Sequence, residues 1–179
     1  NLQLGLRGEN TYSDGYSVTL DQRVERSYFN LFPSAAISHQ IGDNQSLRYT
    51  ISRRIDRPSY QDLTPFIFYL DQYTFSLGNP FLQPQLSNSF GLTYSMQNKL
   101  MVNINYSKTT DVMQEIVVQN DEAFTTFQTK QNLDNFHNLS IASSLPVGIT
   151  KWWSSRINLV GFYNKFASEF SNDPIDLDQ

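Results

Sequence analysis

The sequence predicts an all-β fold, an antiparallel transmembrane β-barrel segment of about seven strands that is part of a larger barrel. Three observations predict it. Apolar and polar residues alternate along most of the chain, the polar residues are mainly uncharged, and short connections between the alternating segments take turns with long ones. No segment with helical periodicity competes with this pattern.

The alternation is clearest in residues 46–53, where apolar and polar side chains trade places at each step. Successive side chains of a strand point to opposite faces, so Leu47, Tyr49 and Ile51 lie on one face and the residues between them on the other. The same pattern recurs in residues 2–6, 90–96, 100–106, 139–147 and 157–163. This two-residue periodicity predicts antiparallel strands, each with one face that avoids water.

The composition of the second face separates a membrane barrel from a soluble sandwich. Only 17% of the residues are charged although the mean hydropathy is -0.43, so uncharged polar side chains supply much of the hydrophilic character. The outer face of a soluble sandwich would carry many charges. Asn, Ser, Thr, Gln and Gly suit the wet interior of a transmembrane barrel, whose strands run apolar-out and polar-in. We therefore expect the apolar face to contact lipid.

The lengths of the connections assign the two ends of the strands. Short links at 42–45 and 97–99 alternate with long ones at about 10–27 and 56–84. Outer-membrane barrels have short periplasmic turns and longer extracellular loops. We therefore expect both long loops to be extracellular.

The strands themselves follow from these turns. We predict strands over residues 1–9, 28–41, 47–55, 86–97, 100–118, 124–145 and 153–166, with a further turn at 120–122. Several of these exceed the ~9–11 residues that cross a bilayer, so we expect strands that extend beyond the outer surface of the membrane.

Aromatic residues occur near both ends of the last predicted strand. Trp152 and Trp153 precede it at the short-turn end, and Phe162 and Tyr163 lie near the long-loop end. Amphipathic rings favour the headgroup layer, so these four residues predict two interfacial girdles. An ordinary aromatic core is the alternative interpretation.

Particular motifs carry a resemblance to a known family. Residues 53–60 (RRIDRPSY), 63–66 (LTPF) and 78–84 (GNPFLQP) resemble the characteristic segment of the TonB-dependent-receptor-like outer-membrane β-barrel family. Residues 131–135, 144–146, 150–153 and 162–166 are similar to the next portion of that family. The resemblance covers roughly residues 29–166.

The resemblance implies a plugged barrel in the outer membrane of a Gram-negative cell. Such a receptor takes up a scarce nutrient without covalent catalysis, using energy from an inner-membrane coupling protein and in some cases a surface lipoprotein. The present sequence shows no signal peptide, no plug and no energy-coupling box. We therefore expect residues 1–179 to form a section of barrel wall, completed by the rest of the same barrel and its plug.

The second long loop is the segment expected to meet a ligand. It contains four prolines and many rings, a composition too apolar for a floppy solvated loop. One interpretation makes the rings a platform for sugars or an apolar ligand, with arginines at the rim for acidic groups. The other is a loop packed on itself. The candidate contacts are Arg54, Arg57, Tyr60, Phe66, Phe68, Tyr69 and Tyr73.

Composition narrows the chemistry. The chain has no cysteine, so thiolate metal sites and cysteine nucleophiles are impossible within it. Its two histidines, His39 and His137, lie far apart without zinc-site spacing. A net charge of -4 and a pI near 5.0 argue against non-specific nucleic-acid binding. We predict no catalytic residue, metal or cofactor.

Two other functional hypotheses stay open from the sequence. A soluble, aromatic-rich β-sandwich that binds carbohydrate would pack the face of Leu47, Tyr49 and Ile51 on a second sheet. A structural or secretion-associated outer-membrane barrel would share every feature above and import nothing.

Overall fold

The structure, a computed structural model, describes residues 1–17, 22–64, 66–96, 99–120 and 124–167. Most of these residues form strands, as their alternating pattern predicts. The strands are β1 (Leu2–Ser17), β2 (Gln22–Ile41), β3 (Gln45–Asp56), β4 (Ile67–Tyr69), β5 (Thr74–Leu77), β6 (Gln85–Met96), β7 (Leu100–Asn120), β8 (Thr125–Thr150) and β9 (Trp153–Ala167). A single helical turn, α1 (Tyr60–Leu63), lies between β3 and β4.

Seven long strands form an antiparallel wall in the order β1-β2-β3-β6-β7-β8-β9. The wall curls as a half-barrel. The short hairpin β4–β5 joins it differently, because β5 runs parallel to β8 and pairs with residues 126–128. The predicted antiparallel barrel segment of about seven strands is therefore confirmed, with β4 and β5 as an addition.

The register puts the two kinds of side chain on separate faces of the wall. Directly opposed residues of paired strands share a face, and Ile51, Phe90 and Tyr106 form one such row. We call the sheet face that contains this row the apolar face, and the other, which contains Thr50, Gly91 and Asn105, the polar face.

Within the described ranges, no second sheet packs against the apolar face. Leu4 is 75% exposed and Leu159 is 65% exposed, values that a packed sandwich core would not allow. The soluble β-sandwich is therefore wrong. Large exposed apolar side chains on one face of a barrel wall are what lipid contact requires.

The polar face is held together by hydrogen bonds between small side chains of adjacent strands. Ser46 and Ser95 hydroxyls lie 2.7 Å apart, and Ser87 and Thr109 hydroxyls 2.8 Å apart. Near the middle of this face a side chain on Gly91 would collide with Thr50 Oγ1, because a Cβ there would lie 2.5 Å away.

The strand bounds agree with the prediction to within two residues, except at the first long loop and at the end of β8, which continues to Thr150 instead of ending at residue 145. Residues 10–17 and 22–27 were expected to belong to a loop, but they extend β1 and β2, which pair as far as Ser17 and Gln22. The loop boundary is thus wrong, because ladder hydrogen bonds and ion pairs between the strands outweigh the turn-like local composition. Asp14 accepts two hydrogen bonds from Arg23 at 2.9 and 2.7 Å.

The predicted short turn at 42–45 is confirmed, with residues 42–44 forming the turn and Gly42 in the left-handed region at φ 64°. Residues 97, 98 and 121–123 of the other predicted turns lie outside the described residues. Several strands are as long as expected: β2 has 20 residues, β7 has 21 and β8 has 26.

The connection from β3 to β6, described over residues 57–64 and 66–84 and called the excursion below, covers part of the polar face. Leu82 of the excursion is fully buried, and Phe32 of the polar face of β2 is 4% exposed. The other buried apolar residues of the described chain are Val112, Phe127 and Leu133. The small core of this wall section therefore consists of Leu82 of the excursion and residues of β2, β7 and β8.

Candidate functional site

The excursion begins with a capped helical turn. Ser59 is the N-cap of α1: its hydroxyl accepts a hydrogen bond from Asp62 N at 3.2 Å, and the Asp62 carboxylate accepts one from Ser59 N at 2.9 Å. This reciprocal capping box satisfies backbone donors that a helix start would otherwise leave free. It fixes the path of the chain directly after β3.

Gly78 and Asn79 fold the later part of the excursion back onto α1. Asn79 N donates to Asp62 O at 2.7 Å. A Cβ at position 78 would lie 2.8 Å from Gln61 O and 3.0 Å from Asp62 O, so only glycine allows this approach of backbone to backbone. The excursion is therefore packed on itself as well as on the wall.

The excursion is bound to β8 by charge, by amide hydrogen bonds and by stacking. Lys130 Nζ lies 2.8 Å from a carboxylate oxygen of Asp62. Asn132 donates from Nδ2 to Gln83 O at 2.9 Å and accepts from Gln83 N at 2.8 Å. The ring of Phe75 in β5 stacks on Phe127 with centroids 5.5 Å apart.

Two arginines bind it to the first two strands. Arg57 Nη2 lies 2.6 Å from a Glu9 carboxylate oxygen and 3.1 Å from Thr11 Oγ1. Arg26 on β2 donates to the backbone carbonyls of Pro80 and Leu82. The excursion thus spans the polar face from β1 and β2 to β8.

The hydrogen bonds and ion pairs of the excursion shift the pKa values of Asp62, Arg57 and Asp71. Burial raises the pKa of Asp62, but hydrogen bonds from Lys130 and Ser59 outweigh it, so the net pKa is below the ordinary value of 3.8. The hydrogen bond to Glu9 raises the pKa of Arg57. Backbone and side-chain donors of Tyr73 and Thr74 hold the pKa of Asp71 below 3.8.

Two clefts lie between the excursion and the wall. One, of about 210 Å³, is lined by Tyr60, Phe66 and Pro80 together with the ends of β1 and β2, among them Tyr16 and Arg26. The second, of about 340 Å³, is lined by residues including Gln61, Phe68, Glu115, Gln128 and Lys130. The first offers rings for stacking and the second offers amide and charged groups.

The structure divides the predicted ligand contacts into three groups. Tyr60 and Phe66 meet in the first cleft, and Phe68 lines the second. Tyr69 and Tyr73 are 74% and 63% exposed and line neither cleft. Arg54 is exposed on the polar face opposite Ser87, and Arg57 is paired with Glu9.

The register also sorts the predicted girdle residues. Trp152 is 85% exposed in the turn before β9, and its ring stacks on Trp153 at 6.3 Å. Tyr163 pairs with Leu139 and lies on the apolar face. Phe162 pairs with Ser140 and lies on the polar face, so its place in a lipid-facing girdle is wrong, because adjacent strand residues point to opposite faces.

Sequence reasoning missed Arg26, Asn79, Lys130 and Asn132, which attach the excursion. Their partners lie 49 to 68 positions away in the chain: Asn132 and Gln83 are 49 positions apart, and Lys130 and Asp62 are 68 apart. The motif at 78–80 was noticed as a family-like segment but not as a turn that brings two parts of the excursion together. Gly followed by Asn-Pro is a turn signal that identifies such a site.

The described residues contain no cluster of side chains arranged as a metal site. His39 pairs with Leu47 and His137 with Lys108, so the two histidines belong to separate strands of the wall. No group of three or more His, Asp or Glu side chains in the described ranges is arranged to hold a metal ion. None of the helices described is long and apolar enough to span a membrane.

The family model of the outer membrane protein beta-barrel family matches residues 1–179, so the chain belongs to that family. No curated protein is similar enough in sequence to count as a relative. The wall, its register and the family together place the chain in the Gram-negative outer membrane.

Solved structures share the fold at low sequence identity. The siderophore receptor PirA from Pseudomonas aeruginosa is 14% identical with a TM-score of 0.65, over 92% of this chain and 34% of that one. A double mutant of the Serratia marcescens hemophore receptor HasR, in complex with its hemophore HasA and heme, is 14% identical with a TM-score of 0.63, over 90% and 30%. The copper transporter OprC is 13% identical with a TM-score of 0.58, over 93% and 26%.

These three solved structures share their fold with this chain. They are titled as a siderophore receptor, a hemophore receptor and a copper transporter. The chain spans about a third or less of the length of each of these three structures, from 26% to 34%. The chain is thus an outer-membrane barrel section that resembles TonB-dependent receptors.

Proposed function

We propose that the chain is part of the wall of an outer-membrane receptor that takes up a nutrient through a plugged barrel. The observation that carries the proposal is the excursion, which is fixed to β1, β2 and β8 and holds aromatic residues at clefts on the polar face. A rigid loop that presents rings is suited to capture a ligand.

The proposed mechanism needs no covalent chemistry. A ligand binds on the long-loop side of the wall, a plug in the same barrel rearranges, and the ligand passes along the polar face. That face offers hydroxyl and amide groups, which suit transient binding along a wet path. The partners are the plug and remaining strands, an inner-membrane coupling protein and a surface lipoprotein.

The proposed ligand site is the first cleft, with Tyr60 and Phe66. The similar structures are titled for siderophore, heme and copper uptake, so metal chelates are the first class to test. Ring faces stack on flat or sugar-like ligands, while Arg54 offers a cation to an acidic group.

Uptake by cells tests the proposal. A strain from which the gene for the full-length barrel is deleted is compared with the same strain after the gene is restored. Both are grown on one limiting source at a time: iron, heme, copper or oligosaccharide. We expect one source to require the gene, and uptake of that source to stop when the proton-motive force is dissipated.

A pair of variants then locates the site. Tyr60→Ala with Phe66→Ala should reduce uptake of that source by about 10-fold or more, whereas Tyr73→Ala, which removes an exposed ring outside both clefts, should leave it near wild type. Normal growth of the deletion strain on every source would reject import and favour a structural or secretion role.

A further inference from the structure

The apolar face of the wall carries a row of basic side chains. This row lies on the long-loop side of the uncharged rows of that face. From β3 to β9 the register pairs Arg53 with Asn88, Asn88 with Lys108, Lys108 with His137, and His137 with Lys165. We call this set the basic row. Because directly opposed residues share a face, all five side chains belong to the lipid-facing side of the wall.

The rows on the short-turn side of the basic row are uncharged. Each row contains one residue from each of β3, β6, β7, β8 and β9. The row next to the basic row consists of Ile51, Phe90, Tyr106, Leu139 and Tyr163. The second consists of Tyr49, Leu92, Ile104, Ile141 and Gly161, and the third of Leu47, Tyr94, Val102, Ser143 and Leu159. Three consecutive rows without an acid or a base, followed by a row with three permanent cations, mark the edge of the hydrocarbon layer.

The cations of the basic row have no acidic partners. Among the described residues, Arg53, Lys108 and Lys165 form no ion pair, although Arg7, Arg23, Arg57 and Lys130 all do. On the far side of the basic row the apolar face carries Ile55, Leu86, Thr110 and Asn135, which supply no negative charge. The side chain nitrogen Nε of Arg53 is buried without a hydrogen-bond acceptor.

Uncompensated cations beside hydrocarbon require anions from outside the described chain. We propose that the basic row binds the phosphate groups of a phosphorylated glycolipid of the lipopolysaccharide class in the outer leaflet. Arg and Lys donate charge-assisted hydrogen bonds to phosphate, and the aromatic row beneath them packs against the acyl chains of the same lipid. The inference uses the membrane location of the chain and does not depend on nutrient uptake.

The spacing of the cations favours a headgroup with more than one phosphate. Arg53, Lys108 and Lys165 lie on strands that are two positions apart in the sheet. Neighbouring strands are about 4.8 Å apart, so consecutive cations are separated by about 10 Å across the wall. One phosphate group therefore reaches one cation, and a lipid with two phosphates on a sugar headgroup reaches two.

The side chains between the cations help to order the site. Tyr106 OH and His137 Nδ1 lie 2.9 Å apart, so a ring of the adjacent row is joined to the basic row. The rings of Phe90 and Tyr106 stack with centroids 6.3 Å apart in the row below. A flat, ordered aromatic surface next to cations matches an amphiphile with an anionic head.

Lipid binding by the intact barrel tests the proposal. The full-length protein in detergent is titrated with lipopolysaccharide, with the same lipid after enzymatic dephosphorylation, with phosphatidylglycerol and with inorganic phosphate. We expect lipopolysaccharide to bind tightest, and its affinity to fall as salt is raised. Equal binding of the dephosphorylated lipid, or tighter binding of phosphatidylglycerol, would overturn the proposal without the use of any variant.

A matched pair of triple variants assigns the site. Arg53→Gln, Lys108→Gln and Lys165→Gln remove three charges from the apolar face, and the control is Arg48→Gln, Arg54→Gln and Arg156→Gln on the polar face. We expect a loss in lipopolysaccharide affinity of about fivefold for each apolar-face cation removed. The control should bind as wild type does.

Folding of each variant is checked by heat-modifiable migration in gels. If the apolar-face triple variant does not fold, the single variants Lys108→Gln and Lys165→Gln carry the comparison. Wild-type affinity in folded apolar-face variants, or an equal loss in the polar-face control, would show that the basic row is not the binding site. Nutrient uptake is not measured in this experiment, so its outcome is independent of the proposed function.

Discussion

Gly78 is the residue on which the internal packing of the excursion depends. Its α-carbon lies against the carbonyls at the end of α1, and a side chain there meets backbone atoms that cannot move alone. Gly161, by contrast, lies on β9, and no described atom lies within 4 Å of the position that a Cβ would occupy there. The two glycines therefore offer a test in which the same substitution has opposite consequences.

Gly78→Ala should loosen the excursion, because the new Cβ would lie 2.8 Å from Gln61 O and force the two segments apart. We expect a local cost of about 1–3 kcal/mol and faster cleavage of residues 57–84 by chymotrypsin in the intact barrel. Gly161→Ala should be cleaved as wild type is. Equal protection of both variants would show that the excursion has room that the structure does not indicate.

Asp62 gives the excursion a predictable pH response. Its pKa in the folded state is below the ordinary value of 3.8, so its contribution is fully present above 3.8 and is lost as pH falls through the lowered pKa. Attachment of the excursion should thus be unchanged from pH 7 to pH 5 and weaken below about pH 4.

A fluorophore measures this response. The chain has no cysteine, so Tyr69→Cys adds one labelling site within it on an exposed residue of β4. The anisotropy of the label should decrease when the pH is lowered below about 4. The substitution Asp62→Asn should lower the anisotropy at neutral pH and make the anisotropy less dependent on pH. An onset between pH 5 and 7 would contradict the assignment to Asp62.

At the scale of elements, each strand of the wall separates lipid-facing from polar residues by its two-residue period. Ile141 is 46% exposed on the apolar face in the row of Leu92 and Ile104, whereas Ser140 is on the polar face of the same strand. Adjacent positions of β8 thus meet opposite environments, and the sequence pattern alone predicts this difference.

Ile141→Lys should destabilise the inserted barrel by about 2–4 kcal/mol, because a charge near the bilayer midplane loses its hydration. Ser140→Lys, which places the same charge on the polar face, should cost much less. The free energy of unfolding in guanidinium, measured for the intact barrel in lipid vesicles, checks both. A smaller loss of unfolding free energy for Ile141→Lys than for Ser140→Lys would show that the polar face, and not the apolar face, contacts lipid.

Element ends were harder to predict than element faces. The segment from Thr11 to Tyr16 has the polar, Gly-containing composition of a loop tip, yet it continues β1. Composition reports local preference, and the pairing of β1 with β2, with the ion pair between Asp14 and Arg23, is a long-range effect that local preference does not contain.

At the scale of the whole molecule, the wall has two open edges in the described chain. β1 pairs only with β2, and β9 pairs only with β8 over residues 135–150. Unpaired backbone groups are not tolerated in hydrocarbon, so these edges need further strands. The hairpin β4–β5 extends the edge of β8 beyond the last pair with β9.

The isolated 179-residue chain should therefore associate through its edges when it is refolded in detergent. We expect heterogeneous oligomers in sedimentation experiments and no heat-modifiable species, whereas the intact barrel should give one compact, heat-modifiable species. A monodisperse, heat-modifiable monomer of the isolated chain would contradict the need for additional strands.

The sequence by itself determined the fold class, the number of wall strands and the face of each residue within them. These follow from a period of two, which every strand shows without reference to any other part of the chain. It also identified the excursion as ordered, because four prolines and many rings do not suit a solvated loop.

Only the tertiary structure decided where the excursion lies and which residues hold it. Lys130 and Asn132 on β8, and Arg26 on β2, meet it through contacts that join distant positions. The basic row is likewise invisible along the chain, because its members come from five strands and only the register brings them side by side. Periodicity is a local property that one strand carries alone, whereas docking and register arise only when strands pair.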